Sequence, residues 1–267
     1  MLIDGFMFYN ELDVLELRLT VLDKYVDRFI LVESEVNHIG GPKELFFQKN
    51  RERYAKWLHK IVHIVVKADE SPKDTNPWSR EKYQRECILR GLRGDVCTDG
   101  TFQGPVPDES IVMISDVDEI PDLNVVPFEN LPHLISSIHM WMYHYSFDYL
   151  FTGEPWFGTV ITTAEIVKKW GPNALRDSRW KFPAHQFSGW HLSSFGDEKH
   201  VLNKMRTFAH ALDKNEHKHL QTEENIKKWI QEGKFIDGKT ELVKRPPEVP
   251  LPAPVEVLQR LGLGTFP

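Results

Sequence analysis

Four short apolar, β-favouring runs punctuate the first part of the chain: LIDGFMF at 2–8, RFILVES at 28–34, IVHIVV at 61–66 and IVMIS at 111–115. Between them the pattern switches to helix. Leu12, Leu15, Leu19, Leu22 and Val26 recur at spacings of three and four, which is one apolar helical stripe. Asn10 stands where a helix cap is expected, with Glu11 and Asp13 favourably placed in the first turn. Pro42 suits the first turn of a second helix running to about Lys60. A third helix is predicted from about Trp78 to Leu92, after the polar loop DESPKDTNP. Strands and helices alternating over about 115 residues predict an α/β fold, with a Rossmann-like, mostly parallel sheet flanked by helices. Neither GxGxxG nor a Walker A sequence occurs, so the usual dinucleotide and P-loop readings fail.

The second part differs. From Trp141 to Phe151 every odd position is aromatic, through Tyr143, Tyr145, Phe147 and Tyr149. A period of two predicts a strand or hairpin with one aromatic face. A helix is expected from Glu223 to Gln231, capped by Thr222 and stopped at Gly233. The tail RPPEVPLPAPVEVL predicts an extended strap or linker. A length of 267 residues accommodates one large domain or two small ones. The net charge of -6 argues against a nucleic-acid binder. Two cysteines, Cys87 and Cys97, make no disulfide framework and fit a reducing compartment. The N-terminus has no basic n-region, and no 18 apolar residues run together, so neither a signal peptide nor a membrane span is expected and the location is cytoplasmic. Aromatic content of 12%, with eight Trp, is compatible with a carbohydrate-handling surface and equally with a large core.

The most chemically pointed stretch is ESIVMISDVDEIPD at 109–122, where a strand pattern runs straight into Asp116, Asp118 and Glu119. In open α/β sheets, ligands collect beyond the carboxyl ends of the strands. Carboxylates this close repel one another and need a cation, a proton or basic partners. Their hard oxygens suit Mg²⁺ or Mn²⁺, ions commonly held by one or two carboxylates plus substrate phosphates, so a diphosphate-bearing ligand is predicted. The plainer reading is a solvated acidic turn, with Asp122 capping the next segment. A haloacid-dehalogenase-type phosphoester hydrolase also ends a strand in Asp-x-Asp. That family places the pair after its first strand, with Thr or Val two places on, whereas here Glu119-Ile120 comes next and the pair lies more than a hundred residues in.

Taken together, FMFYNELDVLELRL, RFILVES, the Gly40-Gly41-Pro42-Lys43 turn, NPWSREKYQRECILRGL, ISDVDEIP and GWHLSSFG resemble glycosyltransferase family 17, from the first strand to about His210. The resemblance implies a GT-A type fold, a UDP-sugar donor (UDP-GlcNAc), Mn²⁺ or Mg²⁺, and inversion at the anomeric carbon during transfer to a glycan or glycoconjugate hydroxyl. It implies a catalytic domain over 1–245, with a nucleotide-sugar-binding half at 1–120 and an acceptor-side half at 121–245, followed by the Pro-rich tail 246–267. No anchor or Golgi address is visible, so a bacterial or viral enzyme is expected. A catalytically silent carbohydrate-binding protein on the same scaffold is the alternative.

Within that frame Asp118 is expected to bind the metal, and Asp116 to contact the metal or the donor ribose. His191 is a candidate further ligand; one imidazole among oxygens tilts the choice toward Mn²⁺. The plainer role for His191 is a core histidine beside Trp190. Glu119 either orients a water or pairs with Arg85. Arg80, Gln84 and Arg85 are placed to reach the donor's pyrophosphate or to hold the carboxylates. Asn10, Glu11 and Glu33 stand where the sheet would receive the nucleoside. Arg179 and Lys181 are candidates to stabilise the leaving diphosphate, with Lys204 and Arg206 as rivals that read otherwise as surface charges. Trp141, Tyr143 and Trp156 are candidates to stack on acceptor sugars, or core. A carboxylate must take the acceptor's proton, and Asp148, Glu154 and Asp177 are the candidates.

Overall fold

The computed structural model describes residues 1–94, 104–209 and 220–263; Cys97 lies outside them, and Cys87 is a buried free thiol. The chain begins β1 (Leu2–Met7), α1 (Leu12–Leu22), β2 (Arg28–Ser34), α2 (Phe46–Lys49) and β3 (Ile61–Val66), with a 3₁₀ segment Arg51–Trp57 before β3. Helices α3 (Pro77–Glu86) and α4 (Ile88–Arg93) lead to β4 (Ile111–Asp116) and β5 (Glu119–Pro121). Then come β6 (Ser136–His144), β7 (Tyr149–Leu150), β8 (Trp156–Thr163), α5 (Ala164–Trp170), α6 (Pro172–Asp177), β9 (Ala184–His185) and β10 (Gly189–Ser193). The last described elements are α7 (Glu198–Thr207), α8 (Glu223–Glu232), β11 (Val243–Lys244) and α9 (Val255–Arg260).

This is a mixed α/β protein with a large central sheet flanked by helices. Strands β3, β2, β1 and β4 lie side by side in that order and parallel, because each crossover returns the chain to the same end of the sheet. Beyond β4 the expectation of a mostly parallel sheet is corrected: β8 runs antiparallel to β4, and β6 antiparallel to β8. Here the connections shorten to turns around β7, and short turns can join only antiparallel neighbours. Strand β10 then pairs parallel to β6 and antiparallel to β5, which brings the second half of the chain beside the turn after β4.

Strands β1, β2 and β3 are buried along their whole length, as their apolar runs require, and β4 is buried between its two ends. Phe6, Phe29, Leu31 and Met113 face one core with α1, while Ile3, Ile30, Val32, Val112 and Ile114 face a second with α4 and α5. Gly91 lets α4 lie close on β2, since a Cβ there would sit 2.5 Å from Ile30.

Several local expectations are altered. Asn10 does not cap α1; Glu11 takes the cap position, and its carboxylate accepts the Tyr9 and Asn10 N–H groups instead. Pro42 starts no helix but pairs with Val36 in a bridge, leaving α2 and the 3₁₀ segment to come after it. The helix expected over 78–92 breaks at Cys87, whose N–H is shared between the Tyr83 and Gln84 carbonyls. The break lets α3 turn Gln84 and Arg85 to the strand ends while α4 buries Ile88, Leu89 and Leu92. The aromatic alternation becomes β6 and β7 joined through Tyr145, which takes a left-handed backbone at φ 64°. Helix α8 forms as expected, with Thr222 accepting the Asn225 N–H and Gly233 left-handed after it. The proline-rich segment docks: Val249, Leu258, Leu261 and Leu263 join the α1-side core, and the Pro250 carbonyl accepts Tyr143 Oη and Trp190 Nε1. Among the described residues no helix is long and apolar enough to cross a membrane.

One buried pair fixes the geometry above the sheet. Arg18 of α1 and Asp4 of β1 are both fully buried and joined by two hydrogen bonds of 2.8 and 2.6 Å. The remaining nitrogen, Nη1, donates to the carbonyls of Asp116, Val117 and Glu119, at 3.2, 3.3 and 2.6 Å. Removing one partner of a buried ion pair strands the other, at a cost of about 3–5 kcal/mol. Arg18→Met is therefore expected to lose that much unfolding free energy, and urea titration with the wild type alongside measures it.

Candidate active site

Beyond the carboxyl ends of β1 and β4 opens a cleft of ≈ 420 Å³. Its floor is the turn Asp116–Glu119, which Arg18 draws inward by its carbonyls. Around it stand α3 with Glu81, Gln84 and Arg85, α6 with Arg176, β10 with His191, and α7 with Lys204. A second cavity of ≈ 300 Å³ adjoins it, with Glu11 on the border of both and Tyr145, Asp197 and His200 in its lining.

The acidic turn is neutralised from within the protein. Asp116 accepts from Arg85 Nη2 at 3.2 Å and from Arg176 Nη2 at 2.9 Å. Glu119, fully buried, is paired twice with Arg176 at 2.8 Å, accepts the Trp156 indole N–H at 3.0 Å, and accepts the Asp116 N–H at 3.1 Å. Asp118 is bonded to Lys204 Nζ at 2.8 Å, and the same oxygen lies 3.8 Å from His191 Nε2. Arg85 is itself held by Glu81 at 2.8 Å.

These neighbours set the charge states. Burial works to raise both aspartates, but Arg176 and Arg85 hold Asp116 far below the usual carboxylate range, and Lys204 followed by His191 lowers Asp118. For Lys204 burial opposes the charge, yet Asp118 and Glu11 outweigh it and raise its pKa. Burial lowers His191 against the pull of Asp118, so its imidazole is neutral at pH 7. His191 also stacks on Trp156, with ring centroids 4.3 Å apart, and its buried Nδ1 has no hydrogen-bond partner among the described residues.

The structure thus gathers Glu11, Gln84, Arg85, Asp116, Asp118, Trp156, Asp177, Arg179 and His191 around one cleft. Arg179 lies over the Trp156 ring at 5.4 Å, anchored by the carbonyls of Phe157 and Arg176. Gln84 spends its amide on the Phe8 and Val32 carbonyls. Asp177 pairs with the exposed Lys82 at 2.8 Å.

The other expected residues stand apart from the cleft lining. Asn10 borders only the second cavity. Glu33 is fully buried and taken up by His63, Lys43 and the Phe47 N–H. Arg80 binds the carbonyls of His38 and Asp74, and Lys181 and Arg206 are exposed. Trp141 stacks on Phe187 at 4.2 Å, and Tyr143 is core. Asp148 faces Ser146, and Glu154 sits on an exposed turn.

Sequence reasoning misses two residues. Arg176 belongs to none of the motifs, although its spacing of three from Arg179 is there to be seen. Lys204 reads as a rival for the leaving group or a surface charge, yet its side chain is only 19% exposed. No sequence signal shows that α7 folds back over the strand ends.

Among the described residues no three His, Cys, Asp or Glu side chains converge to hold a metal. Asp118 and the neutral imidazole of His191 do converge, and Mg²⁺-like ions take one or two protein ligands when substrate phosphates and waters complete the shell. Asp118 and His191, whose Oδ2 and Nε2 lie 3.8 Å apart, are side chains that could hold an ion together with a ligand's phosphates.

A family model described as Glycosyltransferase family 17 matches residues 1–240. The chain belongs to glycosyltransferase family 17, and a glycosyltransferase works on a sugar donor and an acceptor. A search of curated proteins found no match.

Both aspartates have folded pKa values below the ordinary 3.8, so the stability they contribute is complete above about pH 4 and is lost as pH falls through the folded values. Asp118→Asn is expected to be less stable than wild type at neutral pH and to lose less between about pH 5 and about pH 2. Urea titrations at a series of pH values check both parts.

Proposed function

We propose that this chain is a metal-dependent, inverting glycosyltransferase of GT-A type, moving GlcNAc from UDP-GlcNAc to a hydroxyl of a glycan or glycoconjugate. The observation that carries the reading is the convergence of Asp118 and His191 at the mouth of the parallel strands, in a cleft ringed by cationic side chains. Asp118 and His191 would hold Mn²⁺ or Mg²⁺. With the donor bound there, the chemistry supplied would be positive charge to offset that of the leaving diphosphate.

The chain's own residues supply the rest. Arg179, half-buried and fixed by two carbonyls, presents its guanidinium to the departing phosphates. Arg85 and Arg176 keep Asp116 ionised and fixed in the cleft, where it can accept a ribose hydroxyl. Trp156 carries Arg179 over its ring and His191 stacked on it, and so positions both side chains in the cleft. Inversion needs a carboxylate to take the acceptor's proton as its oxygen attacks the anomeric carbon opposite the diphosphate. Of the three candidates, Asp177 is the one that lines the cleft. The second cavity beside Glu11 gives room for an acceptor glycan.

A screen of nucleotide sugars, reading nucleotide release with and without Mn²⁺, tests this. UDP release from UDP-GlcNAc that requires Mn²⁺ is expected, and Asp118→Asn should lower it by on the order of 100-fold. Donor binding without any nucleotide release from any donor would instead leave a carbohydrate-binding protein. Asp177→Asn should depress turnover and leave UDP affinity within about twofold of wild type, as general-base loss does.

A further inference from the structure

We propose that Lys204 is a resident counter-ion that competes with a divalent cation for Asp118, and that the diphosphate of the donor draws its ammonium away. The inference rests on the metal-dependent reading above and adds an order of binding to it. Its starting point is a difference among the three carboxylates of the turn. Asp116 and Glu119 are held by guanidiniums, planar groups that make several hydrogen bonds at once and are themselves fixed by neighbours: Arg85 by Glu81, Arg176 by the Gly158 carbonyl. Among the described residues, Asp118 is held by a single ammonium on a flexible four-carbon stem.

Lys204 reaches Asp118 from α7, across the cleft from the turn that carries the aspartate. Its Nζ occupies the oxygen, Oδ2, that faces His191 Nε2. The ammonium therefore sits on the ligand atom that an ion shared with the donor would need. Two cations cannot share one buried carboxylate oxygen without strong repulsion. An ion binding alone must displace Lys204 into a cleft that offers it Glu11 and the Phe208 ring, over which it already lies at 5.0 Å. A diphosphate entering the same cleft gives the displaced ammonium a stronger partner. Ion and nucleotide then assist one another's binding, and the assistance is reciprocal by linkage.

The test measures Mn²⁺ binding from the loss of its free electron-spin-resonance signal, with and without UDP. The proteins are wild type, Lys204→Met, Lys204→Gln and Lys204→Arg, each checked for a cooperative melt, with Asp118→Asn as control. Wild type should bind Mn²⁺ at least about tenfold tighter with UDP than without, within the usual range of such couplings. Lys204→Met or Lys204→Gln should bind Mn²⁺ alone at least about tenfold tighter than wild type, and UDP should add little. Lys204→Arg keeps the charge and should bind Mn²⁺ alone no better than wild type. Should Lys204→Met fail to fold, Lys204→Gln, which keeps a hydrogen bond to Asp118, carries the comparison. Unchanged Mn²⁺ affinity in the neutral variants overturns the inference; if wild type still binds Mn²⁺ with UDP and Asp118→Asn does not, the metal-dependent reading stands without it. No Mn²⁺ bound by any protein even with UDP overturns both.

Discussion

A guanidinium with no access to water governs how this molecule presents its chemistry. Arg18 leaves α1 and spends its hydrogen bonds on two partners of different kinds: the Asp4 carboxylate in β1 and three backbone carbonyls of the turn after β4. Burying such a charge is costly unless its donors are paired. Here a bidentate carboxylate balances the charge and the carbonyls use a further donor. One consequence is positional. Helix α1, strand β1 and the Asp116–Glu119 turn are tied at one point, so the side chains of that turn emerge from a fixed backbone.

The fixed turn would be unstable if its carboxylates faced only one another. Each has a basic side chain from an element distant in sequence: Arg85 from α3, Arg176 from α6, Lys204 from α7. This charge pairing pulls three helices to the ends of the strands, and that is what makes a cleft there. The cleft is then balanced at rest. In the proposed reaction a donor diphosphate brings extra negative charge, and Arg179 in the cleft lining is a cationic partner for it.

Legibility in the sequence tracks the range of the forces involved. Strands β1 to β4 could be read because burial on both faces leaves unbroken apolar runs, and α8 because its cap and its terminal glycine are local signals. The antiparallel β8 was not legible, since the direction of a strand depends on the connection before it and on its neighbours. Asp116 and Asp118 stood out because like charges in a row need an explanation. Their partners did not: Arg176 and Lys204 lie 60 and 86 residues away in sequence. Glu33 shows the opposite error. Ending a strand at the right edge of the sheet made it look like a nucleoside contact, while its carboxylate is used inside the fold by His63, Lys43 and the start of α2.

The turn also shows how one short acidic motif divides its duties. Glu119 is wholly buried, with both oxygens engaged by Arg176, an indole and a backbone N–H; freeing it would unpair a guanidinium that also supports Gly158. Asp116 is 31% exposed and shared between two arginines, so it can meet a ligand without leaving its partners. Asp118 has one flexible counter-ion and a neutral imidazole on the same side. The ease of exchanging partners therefore rises from the anchoring glutamate to the middle aspartate. A carboxylate that is to change partners during a reaction cycle is best placed where the fold depends least on the partner it holds at rest. On that argument Asp118 is the carboxylate of the turn that can change partners in the proposed reaction, while Arg18, Arg85 and Arg176 hold the turn still around it.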